Sequence, residues 1–291
     1  MSTLVSRRSF GRALAGAGLV AAGVGLGTAT ATASATASSD WMGGLPDSTL
    51  LSRISMPGTH GSATRVGGPA VANQDLTVAE QLNVGVRFLD ARCRLINGSF
   101  AMHHGAYYQN LMFGDVLNQC AAFLSSHPSE TVLMRVKQEY SGESDAAFGA
   151  VFANYQRRWP NLMKTDAHIP ALSQSRGKVV VIADNGGVPG IRWGGLDIAD
   201  DYDIGTIFDL YYRKWPGVQR HLDAARTANS TNLFITFTSS WGWGLWPRDA
   251  ANAIAPKVSG YLGALNRQMV GVVPMDFMTA TKASQVYRLN F

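Results

Sequence analysis

The strongest constraint on how this chain folds is an alternation of strand-like and helix-like runs between residues 86 and 276. Residues 86–93, 131–136, 178–183, 233–238 and 270–276 are short and largely apolar. Residues 114–126, 144–158 and 248–268 repeat apolar side chains at helical spacing. Such alternation predicts an α/β fold with parallel strands joined by crossover helices. A single run of this kind makes one distorted (β/α)8 barrel the leading architecture. A doubly wound sheet comes second, because no glycine-rich dinucleotide turn follows an early strand. In a barrel, functional residues belong at the C-terminal ends of strands and in the loops after them.

Residues 1–37 read as a targeting segment outside that fold. Ser6-Arg7-Arg8-Ser9-Phe10 has the twin-arginine form, followed by a weakly hydrophobic stretch and then alternating Ala and Thr. Cleavage sites of A-x-A type end at Ala33, Ala35 and Ala37. Residues 13–27 are too few and too glycine-rich to span about 30 Å of hydrocarbon. The expectation is a chain exported by the twin-arginine route and secreted as a monomeric catalytic barrel over 38–291. Without Arg7, Arg8 and Arg12 the formal charge falls from +5 to +2. The basic pI therefore says little about nucleic acid, and no other Lys/Arg run suggests that partner. Cys93 and Cys120 have no zinc spacing and are too few for a disulfide framework. A single Cys93–Cys120 bridge and two buried free thiols both fit the pattern.

Chemistry enters with the first long strand. Alternation puts Phe88, Asp90, Arg92 and Arg94 on one face and Leu89, Ala91 and Cys93 on the other. An acid and two bases in a row make a poor core unless they line a polar site. Met56-Pro57-Gly58-Thr59-His60-Gly61-Ser62 reads as a small-residue turn after the apolar run 50–54, with His60 presented at its tip; it lacks the P-loop lysine. In Met102-His103-His104-Gly105 the adjacent histidines point to opposite faces of a strand, so one of them faces a site. No third His or Cys lies nearby to complete a zinc set. Two imidazoles of ordinary pKa near 6.5 can act as base and acid near neutrality. An arginine supplies a permanently charged fork for phosphate oxygens. Together they suit in-line cleavage of a phosphodiester by a neighbouring hydroxyl, without a metal.

The runs MPGTHGS, QLNVGVRFLDARCR, MHHGAYY and SSHPSETVLMRVKQEY occur in this order. They resemble the catalytic X region of bacterial phosphatidylinositol-specific phospholipase C. The similarity is strong over residues 45–140. It continues more weakly through DDYD at 200–203, VVPMDF around Asp276 and the terminal VYRLN. The resemblance implies a distorted (β/α)8 barrel that cleaves phosphatidylinositol to diacylglycerol and a cyclic inositol phosphate. Carried over by position, His60 is the base for the inositol 2-hydroxyl and His104 the acid for the diacylglycerol oxygen. Arg92 stabilises the transition state, Asp90 is its neighbouring acid, and Asp276 orients His60. Lys137, Asp200 and Tyr202 match inositol-contacting positions. Calcium-dependent relatives have an acid where this chain has Arg92, so no metal cofactor is expected.

Two departures accompany the resemblance. The family pattern has an acid directly after the first histidine, where this chain has Gly61. His104 is thereby expected to lose its partner and hold its proton less well unless water or another carboxylate substitutes, Asp115 being a candidate. Arg192 is the loose candidate for a second inositol-binding arginine. The segment 239–247 places Trp241, Trp243 and Trp246 on the expected active-site rim. Trp193 is close enough in the pattern to join them. Tryptophan favours the lipid–water interface, so peripheral contact with phosphatidylinositol-bearing membranes is expected, core packing of at least two of the rings being the alternative. The competing readings are a metal-dependent glycerophosphodiester or sphingomyelin phosphodiesterase and a non-catalytic inositol-lipid-binding module.

Overall fold

The computed structural model describes residues 38–228 and 231–291, so the expected leader over 1–37 lies outside the described residues. Strands β1 (Met56–Thr59), β2 (Phe88–Ile96), β5 (Val132–Gln138) and β7 (Val179–Asp184) run parallel, as do β9 (Asp197–Ala199), β10 (Phe234–Thr236) and β11 (Val272–Met275). Their order is β7-β5-β2-β1-β11-β10-β9. Two short parallel strands, β6 (Met163–Lys164) and β8 (Ile191–Arg192), share the free edge of β7, one at its start and one at its end. Among the described residues no ladder joins that edge to β9. The expected α/β barrel is therefore the observed class, curled and incompletely hydrogen-bonded. An antiparallel excursion, β3 (Ser99–His104) and β4 (Tyr107–Met112), extends from the end of β2.

The helices are α1 (Val78–Asn83), α2 (Phe113–Ser126), α3 (Asp145–Arg158), α4 (Ile207–Asp209), α5 (Trp215–Thr227), α6 (Pro247–Gly263) and α7 (Ala280–Tyr287), with a π-helical turn at Leu210–Lys214. Capping residues explain several starts: Thr77, Ser144 and Thr279 each accept a backbone N–H at the head of α1, α3 and α7. A 3-10 turn at Trp193–Gly195, but no α-helix, intervenes between β7 and β9, because residues 185–196 carry five glycines and a proline, which disfavour a continuous helix there. No described helix is long and apolar enough to cross a membrane.

β1 corrects the turn expected at 56–59. Proline and glycine argue against a central strand, yet the ladder around them tolerates both. Met56 and His60 donate their N–H groups to Gly271 and Met275 on the β11 side. Pro57 therefore faces β2, whose ladder begins only at Gly58↔Phe88, so the missing donor is not needed. A Cβ on Gly58 would lie 2.9 Å from the Phe88 ring, and that close approach needs glycine.

The alternation of β2 separates two cores. Leu89, Ala91 and Cys93 pack outward against helices such as α2, with Cys120. Phe88 points inward with Leu133, Ile182, Ile235 and Phe237. Cys93 and Cys120 are buried free thiols, which removes the disulfide alternative; burial pushes the Cys120 thiol up to about 12 and Cys93 higher still. Trp41 and Met42 close the N-terminal end of the inner core. There Glu130 accepts the N–H groups of Met42 and Gly43 and pairs with Arg87 at 2.8 Å, both side chains being fully buried. Removing one partner strands a buried charge, so Glu130→Ala should lower unfolding free energy by about 3–5 kcal/mol in urea titration.

Candidate active site

The strand ends converge on an open cavity of about 530 Å³ whose wall includes His60, Arg92, His104, Arg135, Lys137 and Asp276. His60 is the first residue past β1. Its Nδ1 lies 2.8 Å from Asp276 Oδ1, the first residue past β11. Parallel pairing of β1 with β11 makes this meeting of residues 216 apart in sequence a consequence of register. Gln74 reinforces it by donating to the carbonyls of His60 and Met275 and accepting the N–H of Met278.

Asp90, wholly buried on β2, organises the floor. Its Oδ2 accepts Gly61 N–H at 3.0 Å and Arg92 Nε at 2.9 Å, and its Oδ1 accepts from Arg135 at 3.2 Å. Burial alone would raise the Asp90 carboxyl. Arg92, Arg135, His60 and the Gly61 N–H outweigh it and hold the group well below the usual carboxylate range. Burial would likewise lower Arg92, but Asp90 and Glu139 hold it above its ordinary value. Arg94, two residues further along β2, lies over the Tyr140 ring instead of lining the cavity.

His104 ends β3, and its ring centroid is 6.3 Å from that of His60 at an interplanar angle of 86°. His103, on the other face, is buried against Tyr108 and bonds through Nδ1 to the Gly105 carbonyl. Among the described residues His104 has no ring hydrogen-bond partner. Burial, Arg92 and His60 push it down to about 4, against the opposing charges of Glu139 and Asp90. Asp115 does not supply the support expected of it. It is exposed and caps α2 by accepting the Met112 N–H. Gly61 has φ +47°, and a Cβ there would lie 2.8 Å from Asn73 Oδ1 and from Thr64 Oγ1. An acidic side chain at that position would take a strained left-handed backbone and oblige the Asn73 and Thr64 side chains to shift. Asn73 Oδ1 is itself buried without a hydrogen-bond partner.

Of the expected substrate contacts, Lys137, Asp200 and Tyr202 all line the cavity, Lys137 through an ion pair with Glu139 at 2.9 Å. Arg192 is exposed, donates to the carbonyls of Asn185 and Val188, and stays out of the cavity. Arg135 occupies the wall instead: its guanidinium binds Asp184 at 2.6 Å and stacks 3.8 Å from the Trp193 ring. Trp193 is therefore drawn inward rather than onto the rim. Trp241 and Trp246 line the mouth at 43% and 46% exposure, while Trp243 stands out at 91%. Sequence reasoning missed Arg135, Glu139 and Asn73. The first two continue the alternation through Lys137 and were legible on the same argument as Asp90 and Arg92.

Among the described residues no group of three or more His, Cys, Asp or Glu side chains is arranged to hold a metal ion. Asp90 and Glu139 are engaged by Arg92, Arg135 and Lys137.

The model of the PI-PLC X family matches residues 48–154. The chain is 27% identical over 278 residues to a 1-phosphatidylinositol phosphodiesterase of Listeria monocytogenes, covering 87% of this chain and 85% of the relative. A protein of the same name from Staphylococcus aureus is also 27% identical, covering 82% of this chain and 88% of that one. In fold, the chain matches the phosphatidylinositol-specific phospholipase C structure from Listeria monocytogenes with a TM-score of 0.79 at 24% identity, covering 88% and 99% of the two chains.

Proposed function

We propose, on the premise that this chain belongs to the PI-PLC X family through residues 48–154, that it is a phosphatidylinositol phosphodiesterase acting by two-histidine acid–base catalysis. The observation that carries this reading is the pair of imidazoles 6.3 Å apart at one cavity with Arg92 between carboxylates. With Nδ1–H donated to Asp276, the lone pair of His60 is on Nε2 and accepts the proton of the inositol 2-hydroxyl. The 2-oxygen then bonds to phosphorus and the bond from phosphorus to the diacylglycerol oxygen breaks. His104 protonates that leaving oxygen, and Arg92 offers its fork to the phosphoryl oxygens as charge builds. The products are diacylglycerol and a cyclic inositol phosphate. Arg92 and Arg135 already engage the nearby carboxylates, and this reading needs no metal ion.

Lys137, Asp200 and Tyr202 bind the inositol ring in this reading. The tryptophans at 241, 243 and 246 meet the lipid surface, and the leader over 1–37 directs export by the twin-arginine route. Phosphatidylinositol vesicles should release water-soluble phosphate with this protein, whereas phosphatidylcholine vesicles should not. Trp243→Ala should lower the vesicle rate about tenfold and leave turnover of soluble short-chain phosphatidylinositol unchanged. No turnover of phosphatidylinositol in either form would sink the proposal; an equal loss on both forms would sink the membrane role of Trp243.

A further inference from the structure

Glu139 lies one residue past the end of β5, where the alternation of Arg135 and Lys137 carries it toward the cavity. Its backbone N–H still bonds the Cys93 carbonyl of β2, which carries the β2–β5 pairing one residue past Cys93↔Gln138. Its carboxylate is only 12% exposed and touches three parts of the site. Oε1 accepts the N–H of Gly105 at 2.9 Å and lies 3.8 Å from Arg92 Nη1; Oε2 accepts from Lys137 at 2.9 Å. A carboxylate this buried is costly unless its lone pairs are used, and here they are.

The Gly105 contact is the informative one. That N–H belongs to the peptide joining His104 to Gly105, at a turn where Gly105 has φ +52°. Holding it fixes the end of β3 and hence the place of the His104 ring, which has no hydrogen bond of its own among the described residues. His104 faces the Arg92 cation, the His60 ring and the Glu139 and Asp90 carboxylates, with Lys137 and Asp200 around them in the same cavity. Asp90 is committed to Gly61, Arg92 and Arg135, and position 61 is glycine and supplies no carboxylate.

We infer that Glu139 is the positioning residue for His104: it anchors the His104–Gly105 peptide, sets the Arg92 fork, and supplies the negative charge that favours the protonated imidazole. This rests on the acid role proposed above, but its physical content can be read without turnover. In the free protein, the His104 resonance, assigned by its loss in His104→Asn, should titrate about half a unit to one unit lower in Glu139→Gln than in wild type, because an opposing charge has gone. With soluble short-chain phosphatidylinositol, Glu139→Gln should lower kcat about tenfold and move the alkaline limb of its pH profile to lower pH. Glu139→Asp, which keeps the charge at shorter reach, should recover the limb position while kcat stays below wild type.

An unshifted His104 titration with a wild-type limb in Glu139→Gln would overturn the inference, including the case where only stability falls. If Glu139→Gln does not fold, Glu139→Asp carries the test alone, and wild-type kcat there would overturn it. Failure of wild type to cleave phosphatidylinositol would sink the reaction reading instead, and would leave the titration comparison standing.

Discussion

His60→Ala and His104→Ala should each lower kcat on phosphatidylinositol by about 10²–10⁴. The double variant should fall little further than the worse single one, because base and acid act in one proton-transfer sequence and their losses do not add. The pH dependence adds a sharper expectation. Burial, Arg92 and His60 bring His104 to about 4 in the free protein, so its acid form is scarce near neutrality. A bound phosphodiester anion beside it favours the protonated imidazole and raises that value. Since kcat/KM reports the free protein and kcat the complex, the alkaline limb of kcat/KM should lie at lower pH than that of kcat. Steady-state profiles on a soluble short-chain substrate would check this, and coincident limbs would contradict it.

Asp90→Asn should be the most damaging change outside the histidines. One buried carboxylate holds the Gly61 N–H, Arg92 and Arg135, so neutralising it leaves two guanidinium groups short of a counter-charge. Loss of a buried partner of this kind costs about 3–5 kcal/mol of stability. Misplacing Arg92 by about an ångström would lower kcat about a hundredfold as well. The pH dependence follows from the depressed carboxyl. Its stabilisation is fully present above the unfolded value near 3.9 and is lost as pH falls through the lower folded value. The stability gap between wild type and Asp90→Asn should therefore be flat above about pH 5 and close at more acid pH. Denaturant titrations at several pH values would show it.

Much of this site could be read from periodicity. β2 showed it most clearly: Asp90 and Arg92 share a face that only a polar cavity could accept, and Leu89, Ala91 and Cys93 share the opposite, helix-covered face. The same rule applied to β5 would have put Arg135 and Glu139 beside Lys137. Arg135 then explains why Arg192 is not in the wall, since Arg135 already spans Asp90 and Asp184 over Trp193. β1 was hidden because Pro57 and Gly58 have turn propensities, while strands on both sides impose the extended path. Asn73 and Gln74 gave no local signal. Their places depend on loops after β1 and β11 that only the register of those strands brings together. The support of His104 was equally out of reach, because it acts through a backbone N–H rather than through a side-chain pair.

In the proposed mechanism two histidines and an arginine transfer the phosphoryl group from diacylglycerol to the inositol 2-oxygen without a metal. Phosphorus NMR of the water-soluble product, from phosphatidylinositol vesicles in excess chelator, tests it most directly. A cyclic inositol phosphate should be the first product of wild type, and His60→Ala should produce none over the same interval. An acyclic first product, loss of wild-type activity with the chelator, or wild-type turnover by His60→Ala would contradict this mechanism.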